Sequence, residues 1–303
     1  MSDQDSRPGQ DNMPGQDNDA ISRQQSISRR ALLSAAAIAA PAAFALRSSD
    51  AAEQGSRHKH HNAKVALVTG SSRGIGAAVA KRLARDGYFV TVNYVGNADL
   101  ASSVVREIEA AGGKAIHEQA DVSDPRAVRR LFDVTERSFG GIDVVVNNAG
   151  IMRLAPFSAM TDADFDRMFE VNVKGGFNVL REAARRVRDG GRIISMSSSI
   201  TLLRSPTYGP YAATKAAQEI YSNVLAKELE SRMISVNAVA PGVVNTPLFT
   251  NGKTEQQIAG FAQRTPHKRL GEPADIANVV SALCSEDGGW VNGQTVFANG
   301  GIV

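Results

Sequence analysis

Tyr211 and Lys215 stand four residues apart in Tyr211-Ala-Ala-Thr-Lys215, so on a helix both side chains leave the same face. A free phenol titrates near pH ~10, too high for efficient proton exchange at neutral pH. An ammonium beside it favours the phenolate and lowers that value. The pair therefore reads as a proton-transfer centre, donating to a carbonyl oxygen in a reduction or accepting from an alcohol in an oxidation. Ser198 lies thirteen residues upstream, and its hydroxyl can hydrogen-bond the same oxygen as charge develops there. Ser195, Ser197 and Ser199 are its competitors, and alternation along a strand favours Ser198. Each feature alone is common on helix surfaces and at strand ends, so position decides their weight.

Those side chains need elements to hold them. From Lys64 onward short apolar runs alternate with helical segments. Val65–Val68 is a continuous apolar run, as expected of a strand buried on both faces. Further strands are expected over Tyr88–Tyr94, Lys114–His117, Ile142–Val146, Arg192–Ser197, Ile234–Ala238 and Gln294–Ala298. Helices are expected after the glycine-rich turn to about Asp86, over Ala98–Ala111, Asp124–Phe139 with Asp124 as N-cap, Asp162–Lys174, Gly175–Arg188, Tyr208–Glu230 and Pro273–Ser285. Repeated strand–helix units predict an α/β, doubly wound domain over residues 63–303: a seven-stranded, mostly parallel sheet with helices on both faces. Ligands of such sheets bind beyond the carboxyl ends of the strands, and each motif here follows a strand.

The turn after the first strand, Thr69-Gly70-Ser71-Ser72-Arg73-Gly74-Ile75-Gly76, has the glycines that let a pyrophosphate approach a helix N-terminus. Its spacing is Gly-x-x-x-Gly-x-Gly. After it come, in order, Asp121-Val122, Asn147-Asn148-Ala149-Gly150, Asn172 in Val-Asn-Val-Lys, Ser198, Tyr211 with Lys215, and Pro241-Gly242 with Thr246. Together these resemble the short-chain dehydrogenase/reductase family, and within it 3-oxoacyl-carrier-protein reductase-like carbonyl reductases, over residues 63–303.

The resemblance implies a Rossmann-like fold and a nicotinamide cofactor bound by the glycine turn (Gly70, Ser72, Arg73, Gly74, Ile75, Gly76). It implies that Asp121 and Val122 hold the adenine, and that Asn148, Ala149 and Gly150 pass beneath the cofactor. Pro241, Gly242, Val244 and Thr246 would lie on the nicotinamide side. Lys215 would also bond the nicotinamide ribose, with Tyr211 beside it, and Asn172 would kink its helix and hold a water for proton relay. Asn93 and Tyr94 end the second strand, where an acid would select NAD by binding the ribose 2′-hydroxyl. No acid occurs there until Asp99, and Arg73 offers a charge-assisted contact to a 2′-phosphate, so NADP(H) is expected over NAD(H).

The expected activity is reduction of a ketone or 3-oxoacyl carbonyl, with the reverse oxidation of an alcohol or sugar as the alternative. A non-catalytic NADP(H) sensor is a third reading, disfavoured by the intact Ser198, Tyr211 and Lys215. Expected walls of the substrate pocket are Met152, Arg153, Leu154, Leu202, Leu203, Thr207, Tyr208 and a mobile lid over residues 248–270, with Arg153 hinting at an anionic substrate. Family members form tetramers, so a homotetramer or homodimer is expected.

Residues 1–62 read as an extension outside this domain. Residues 1–27 are rich in Gln, Asp, Asn, Ser, Pro and Gly, a composition that cannot bury a core. Arg29-Arg30 then precede an uncharged, alanine-rich run of 16 residues, Ala31–Leu46, containing the small-x-small pattern Ala43-Phe44-Ala45. This 28–46 segment resembles a twin-arginine export signal and predicts delivery to the bacterial periplasm; otherwise the chain would be cytoplasmic. The run is too short for a stable membrane span. His58, His60 and His61 fall in a linker and read as a solvated tether, so no metal is expected. The 34 basic and 31 acidic residues give a net charge of only +3 with no Lys/Arg run, which argues against nucleic acid as a partner. One cysteine, Cys284, excludes an internal disulfide and reads as buried on a late helix.

Overall fold

The computed structural model describes residues 63–303. The leader, the linker and its three histidines lie outside the described residues. The elements run β1 (Val65–Val68), α1 (Gly74–Arg85), β2 (Phe89–Tyr94), α2 (Ala98–Ala110), β3 (Lys114–Gln119), α3 (Pro125–Phe139) and β4 (Ile142–Asn147). They continue with α4 (Asp162–Phe169), a π-helical turn (Glu170–Gly175), α5 (Gly176–Arg186), β5 (Val187–Met196), α6 (Gly209–Glu228), β6 (Ser235–Pro241), α7 (Glu255–Arg264), α8 (Pro273–Cys284) and β7 (Thr295–Ala298).

The sheet order is β3-β2-β1-β4-β5-β6-β7. Every strand pairing is parallel, where the sequence predicted a mostly parallel sheet. Order reverses between β1 and β4, which opens a crevice at their carboxyl ends. Alternation explains the two cores. Ala66 and Val68 of β1 face a cluster with α1, α2 and α8, while Leu67 faces a second cluster with α3, α5 and α6. All four β1 residues are buried, which is why that strand reads as an unbroken apolar run. Cys284 is buried at the end of α8.

Local signals explain several boundaries. Asp124 caps α3 by accepting from Arg126 N at 2.8 Å, and Pro125 occupies the first turn, where its missing N–H costs nothing. The predicted break at Lys174–Gly175 does not occur. Helix α4 passes through the π turn into α5, and Gly175 and Gly176 serve close packing instead. A Cβ on Gly175 would stand 2.7 Å from Val122 Cγ2, and one on Gly176 2.5 Å from Gln218 Nε2. Strand β5 starts earlier than predicted because Val187 pairs with Ile142 before a register shift. Strand β6 reaches Pro241, so Pro241 closes the strand rather than following it. Among the described residues no helix is long and apolar enough to cross a membrane, and no group of His, Cys, Asp and Glu could hold a metal ion.

Candidate active site

The glycine turn is fixed by an interlock with the loop after β4. Gly70 and Gly74 take φ of 60° and 57°, the left-handed region that suits glycine. Thr69 Oγ1 accepts from both Asn148 N and Ala149 N at 3.0 Å, and Asn148 Nδ2 donates back to the Thr69 and Gly70 carbonyls at 2.8 and 3.1 Å. A Cβ on Gly76 would stand 2.5 Å from Asn148 Nδ2 and 2.6 Å from Gly70 O, so backbone and amide leave no room for a side chain. The first N–H groups of α1 have no intrahelical acceptor, and the cap residue Arg73 makes no side-chain hydrogen bond to them. Arg73 is exposed beside them.

A groove runs from this turn across Ser72, Arg73, Ile75, Tyr94, Asp121, Val122, Ala149 and Gly150. Asn93 does not line it. Its buried amide accepts from Gly70 N at 3.1 Å and donates to the Glu118 and Ala120 carbonyls at 3.2 and 3.1 Å, so Asn93 supports the turn from beneath. Asp121 is engaged by Ser123 N, Ser123 Oγ and Arg167 Nη2 at 2.9, 2.7 and 2.9 Å. Partial burial pushes its pKa up, but the hydrogen bonds from Ser123 and Arg167 outweigh that and hold it below the ordinary value.

Beyond Gly150 lie Tyr211 and Lys215, the candidate proton-transfer pair. Tyr211 and Lys215 are both buried on one face of α6, 7% exposed each. Lys215 Nζ donates to the Met196 carbonyl at 2.8 Å and stands 5.8 Å from the Tyr211 ring centroid. A Cβ on Gly150 would stand 3.2 Å from Asn172 Oδ1 and 3.5 Å from Lys215 Nζ, so these positions converge. The sequence predicted that Lys215 lowers the phenol's pKa; the structure gives the opposite direction. Burial raises Tyr211 well above the ordinary value, the neighbouring Tyr208 adds to this, and a hydrogen bond to Ser198 offsets part of it. Burial also pulls Lys215 down to about 8, which weakens the very charge invoked.

The four serines separate by environment. Ser195 is buried within β5, Ser197 Oγ donates to Glu219 Oε1 at 2.6 Å, and Ser199 Oγ donates to the Ala240 carbonyl at 3.1 Å. Only Ser198 of the four is half-buried, and it lines the cavity beside Tyr211. Asn172 sits inside the π turn. Its Oδ1 accepts from Ile151 N at 2.8 Å, and its Nδ2 donates to Ile151 O and Thr214 Oγ1 at 2.8 and 3.1 Å. Its carbonyl accepts from Gln218 Nε2 at 2.6 Å, and Asn147 Nδ2 donates to Gln218 Oε1 at 2.9 Å. Asn172 is thus a clamp on the chain that carries Gly150, and both of its amide hydrogens are engaged.

A cavity of about 440 Å³ opens above Ser198 and Tyr211. Its walls include Met152, Leu203, Tyr208, Leu248, Phe249, Phe261 and Arg264, with Pro241, Gly242, Val244 and Thr246 along one side. Ile75, Asn148, Gly150, Thr246 and Leu248 border both the groove and the cavity, so the two are contiguous. Arg153, Leu154, Leu202 and Thr207 are not on the wall, contrary to the sequence reading. Arg153 instead pairs with Asp164 at 3.3 Å. Thr69, Asn147, Gln218 and Arg167 were given no role from sequence, whereas the walls Phe249, Phe261 and Arg264 fall within the 248–270 segment expected to cover the pocket. A Thr-Gly dipeptide closing an apolar strand was an available signal for Thr69; a buried Gln on a helix face carries none.

Comparison with known proteins places this geometry in context. Residues 70–303 match a protein-family model described as enoyl-(acyl carrier protein) reductase. A versicolorin reductase of Emericella nidulans is 42% identical over 250 residues, covering 78% of this chain and 95% of that protein. A short-chain dehydrogenase of Burkholderia cenocepacia, crystallised with NADP, superposes with a TM-score of 0.75 at 39% identity, covering 79% of this chain and 97% of the other. An angucycline C-6 ketoreductase with bound NADP superposes with a TM-score of 0.75 at 38% identity, covering 80% and 98%.

Proposed function

The chain belongs to the short-chain dehydrogenase/reductase family of NAD(P)-dependent oxidoreductases, and from that footing we propose that it reduces a ketone of largely apolar body with NADPH, Tyr211 being the proton donor. The observation that carries this reading is the meeting of Ser198 and Tyr211 at the floor of an apolar cavity that joins the glycine groove.

The groove suits a dinucleotide. Gly70 and Gly76 allow the close backbone approach that a pyrophosphate needs, and the uncapped N-terminus of α1 favours its charge. Arg73 would hold a 2′-phosphate, and no carboxylate at the end of β2 opposes it. NADP in two solved relatives supports this choice. Asp121 and Val122 would receive the adenine; Asn148, Ala149 and Gly150 would support the middle; Val244 and Thr246 would flank the nicotinamide. When bound, the cofactor supplies hydride, the redox half of the reaction.

The protein's part is position and protons. Ser198 donates a hydrogen bond that holds the substrate carbonyl oxygen and strengthens as that oxygen gains charge. Tyr211 gives the same oxygen its proton. The phenol is protonated at neutral pH and so carries the proton that reduction requires; burial makes it a weaker acid than a free phenol, so transfer relies on the charge that the carbonyl oxygen gains in the reaction. Lys215, drawn down to about 8, lies close enough to neutrality to pass a proton onward. Tyr211→Phe tests the scheme: ketone reduction should fall roughly 10²- to 10⁴-fold while NADPH binding by fluorescence titration stays within about twofold. Near-parental turnover by the variant would remove Tyr211 from the mechanism.

Two further proposals rest on the sequence. Segment 28–46 directs export by the twin-arginine route; Arg29→Lys with Arg30→Lys should leave the protein in the cytoplasmic fraction, and unchanged periplasmic recovery would refute it. The chain forms a homotetramer or homodimer, with Phe177 on α5 and Ile220 and Val224 on α6 exposed for an interface. A monomeric mass by light scattering at micromolar concentration would refute that.

A further inference from the structure

Resting on the reading of the cavity as a carbonyl-reduction site, we infer that its substrate carries an anionic group, a carboxylate or ionised phenol, received by Arg264 at the cavity mouth. The cavity wall includes two cations, Lys215 and Arg264, and no aspartate or glutamate. Lys215 is buried at the floor and donates to the Met196 carbonyl. Arg264 is exposed and lines the same cavity, so the two charges lie at opposite depths.

Arg264 differs from the other cations of the segment that covers the cavity. Lys253 Nζ donates to the Phe249 carbonyl at 2.5 Å, Lys268 Nζ to the Gln263 carbonyl at 2.9 Å, and Arg269 pairs with Asp275 at 2.6 Å. Arg264 has no hydrogen-bond or ion-pair partner among the described residues. Its guanidinium lies 5.7 Å from the Phe261 ring centroid, and Phe261 packs edge-on to Phe249 at 5.1 Å. A guanidinium resting on an aromatic wall keeps its donors free and in plane, the arrangement that meets a carboxylate with two parallel hydrogen bonds. Met152, Leu203, Phe249 and Phe261 would enclose the hydrocarbon between that group and the carbonyl. An apolar cavity bordered by one sign of charge also concentrates ligands of the opposite sign.

The test pairs a charged ketone with its neutral twin, 4-acetylbenzoate and methyl 4-acetylbenzoate, using the full-length chain and NADPH. The parent should favour the acid in kcat/KM by roughly tenfold, the scale of one partly solvated charge-assisted contact. The preference should reside in KM and shrink with added salt. Arg264→Gln should bring the acid-to-ester ratio to about one, and Arg264→Lys should restore part of it. A parent ratio at or below one, or a ratio unmoved by Arg264→Gln, would overturn the inference while leaving carbonyl reduction standing. If neither ketone is reduced, the proposed activity on such ketones falls, and binding decides the inference alone. Calorimetry of 2-naphthoate against 2-naphthamide should then show a roughly tenfold preference for the acid that Arg264→Gln abolishes; equal affinities would overturn it.

Discussion

The groove at the glycine turn and the cavity above Tyr211 share a border but are built from different materials. The groove is a backbone object: Thr69, Asn93 and Asn148 tie two loops together through main-chain atoms, and the crucial positions are those where no side chain fits. The cavity is a side-chain object, with outer walls Phe249, Phe261 and Arg264 on a segment whose helix α7 has no buried residue. One region tolerates almost no change of shape. The other can be re-lined without disturbing the sheet, which is how one fold serves many substrates.

Gly76→Ala should break the contrast most strongly if the groove is as inflexible as its contacts imply. Its new methyl would meet Gly70 O and Asn148 Nδ2, and overpacking of this kind costs about 1–3 kcal/mol. NADPH affinity should fall roughly 10- to 100-fold, read by titration. Wild-type affinity in that variant would show that the interlock yields. Phe261→Ala sharpens the other side. Loss of a half-buried aromatic wall should raise KM for an apolar ketone by about fivefold, with NADPH affinity unchanged. A comparable loss of cofactor binding would erase the distinction between the regions.

Lys215 sits on the border, and its expected effect falls on stability against pH rather than on binding. Its folded pKa is lowered to about 8 from 10.5, so below about pH 8 the folded chain bears the full cost of a buried ammonium. Between about 8 and 10.5 the unfolded chain binds the extra proton, so stability from this group rises with pH. Lys215→Met removes that dependence. The stability difference, variant minus parent, should be most favourable to the variant at neutral pH and decline as pH rises through the window, by denaturant titration. Parallel pH profiles would mean that burial does not depress the lysine.

Legibility followed the same division. The groove was readable because left-handed backbone and close approach demand glycine, so Gly70, Gly74 and Gly76 advertise themselves. The serine was readable from its spacing to Tyr211 rather than from strand alternation, because β5 ends at Met196 and Ser198 lies beyond it, half-buried between buried neighbours. The cavity wall was readable only by segment: Met152, Leu203, Tyr208 and residues 248–270 were expected there and do contribute, but which residues of 248–270 face inward was not legible, because α7 buries none of its residues. Leu202 and Arg153 were misplaced because a short turn at Ile200–Leu203 and the pairing with Asp164 redirect them. The direction of the Tyr211 shift was missed because spacing shows who is near but not how little water remains.

The π turn at Glu170–Gly175 makes α4 and α5 a single rod with one residue too many for a regular helix. Removing one residue there would restore the regular ladder yet turn α5 by about 100° about its axis. Val179, Leu180 and Ala183 would swing off the sheet, and Asn178 would release the Val122 carbonyl that it now holds at 3.0 Å. The number of residues through this segment is therefore as constrained as their identity: Asn172 and Gly175 are held by their contacts, and the count is held by the face that α5 turns to the sheet.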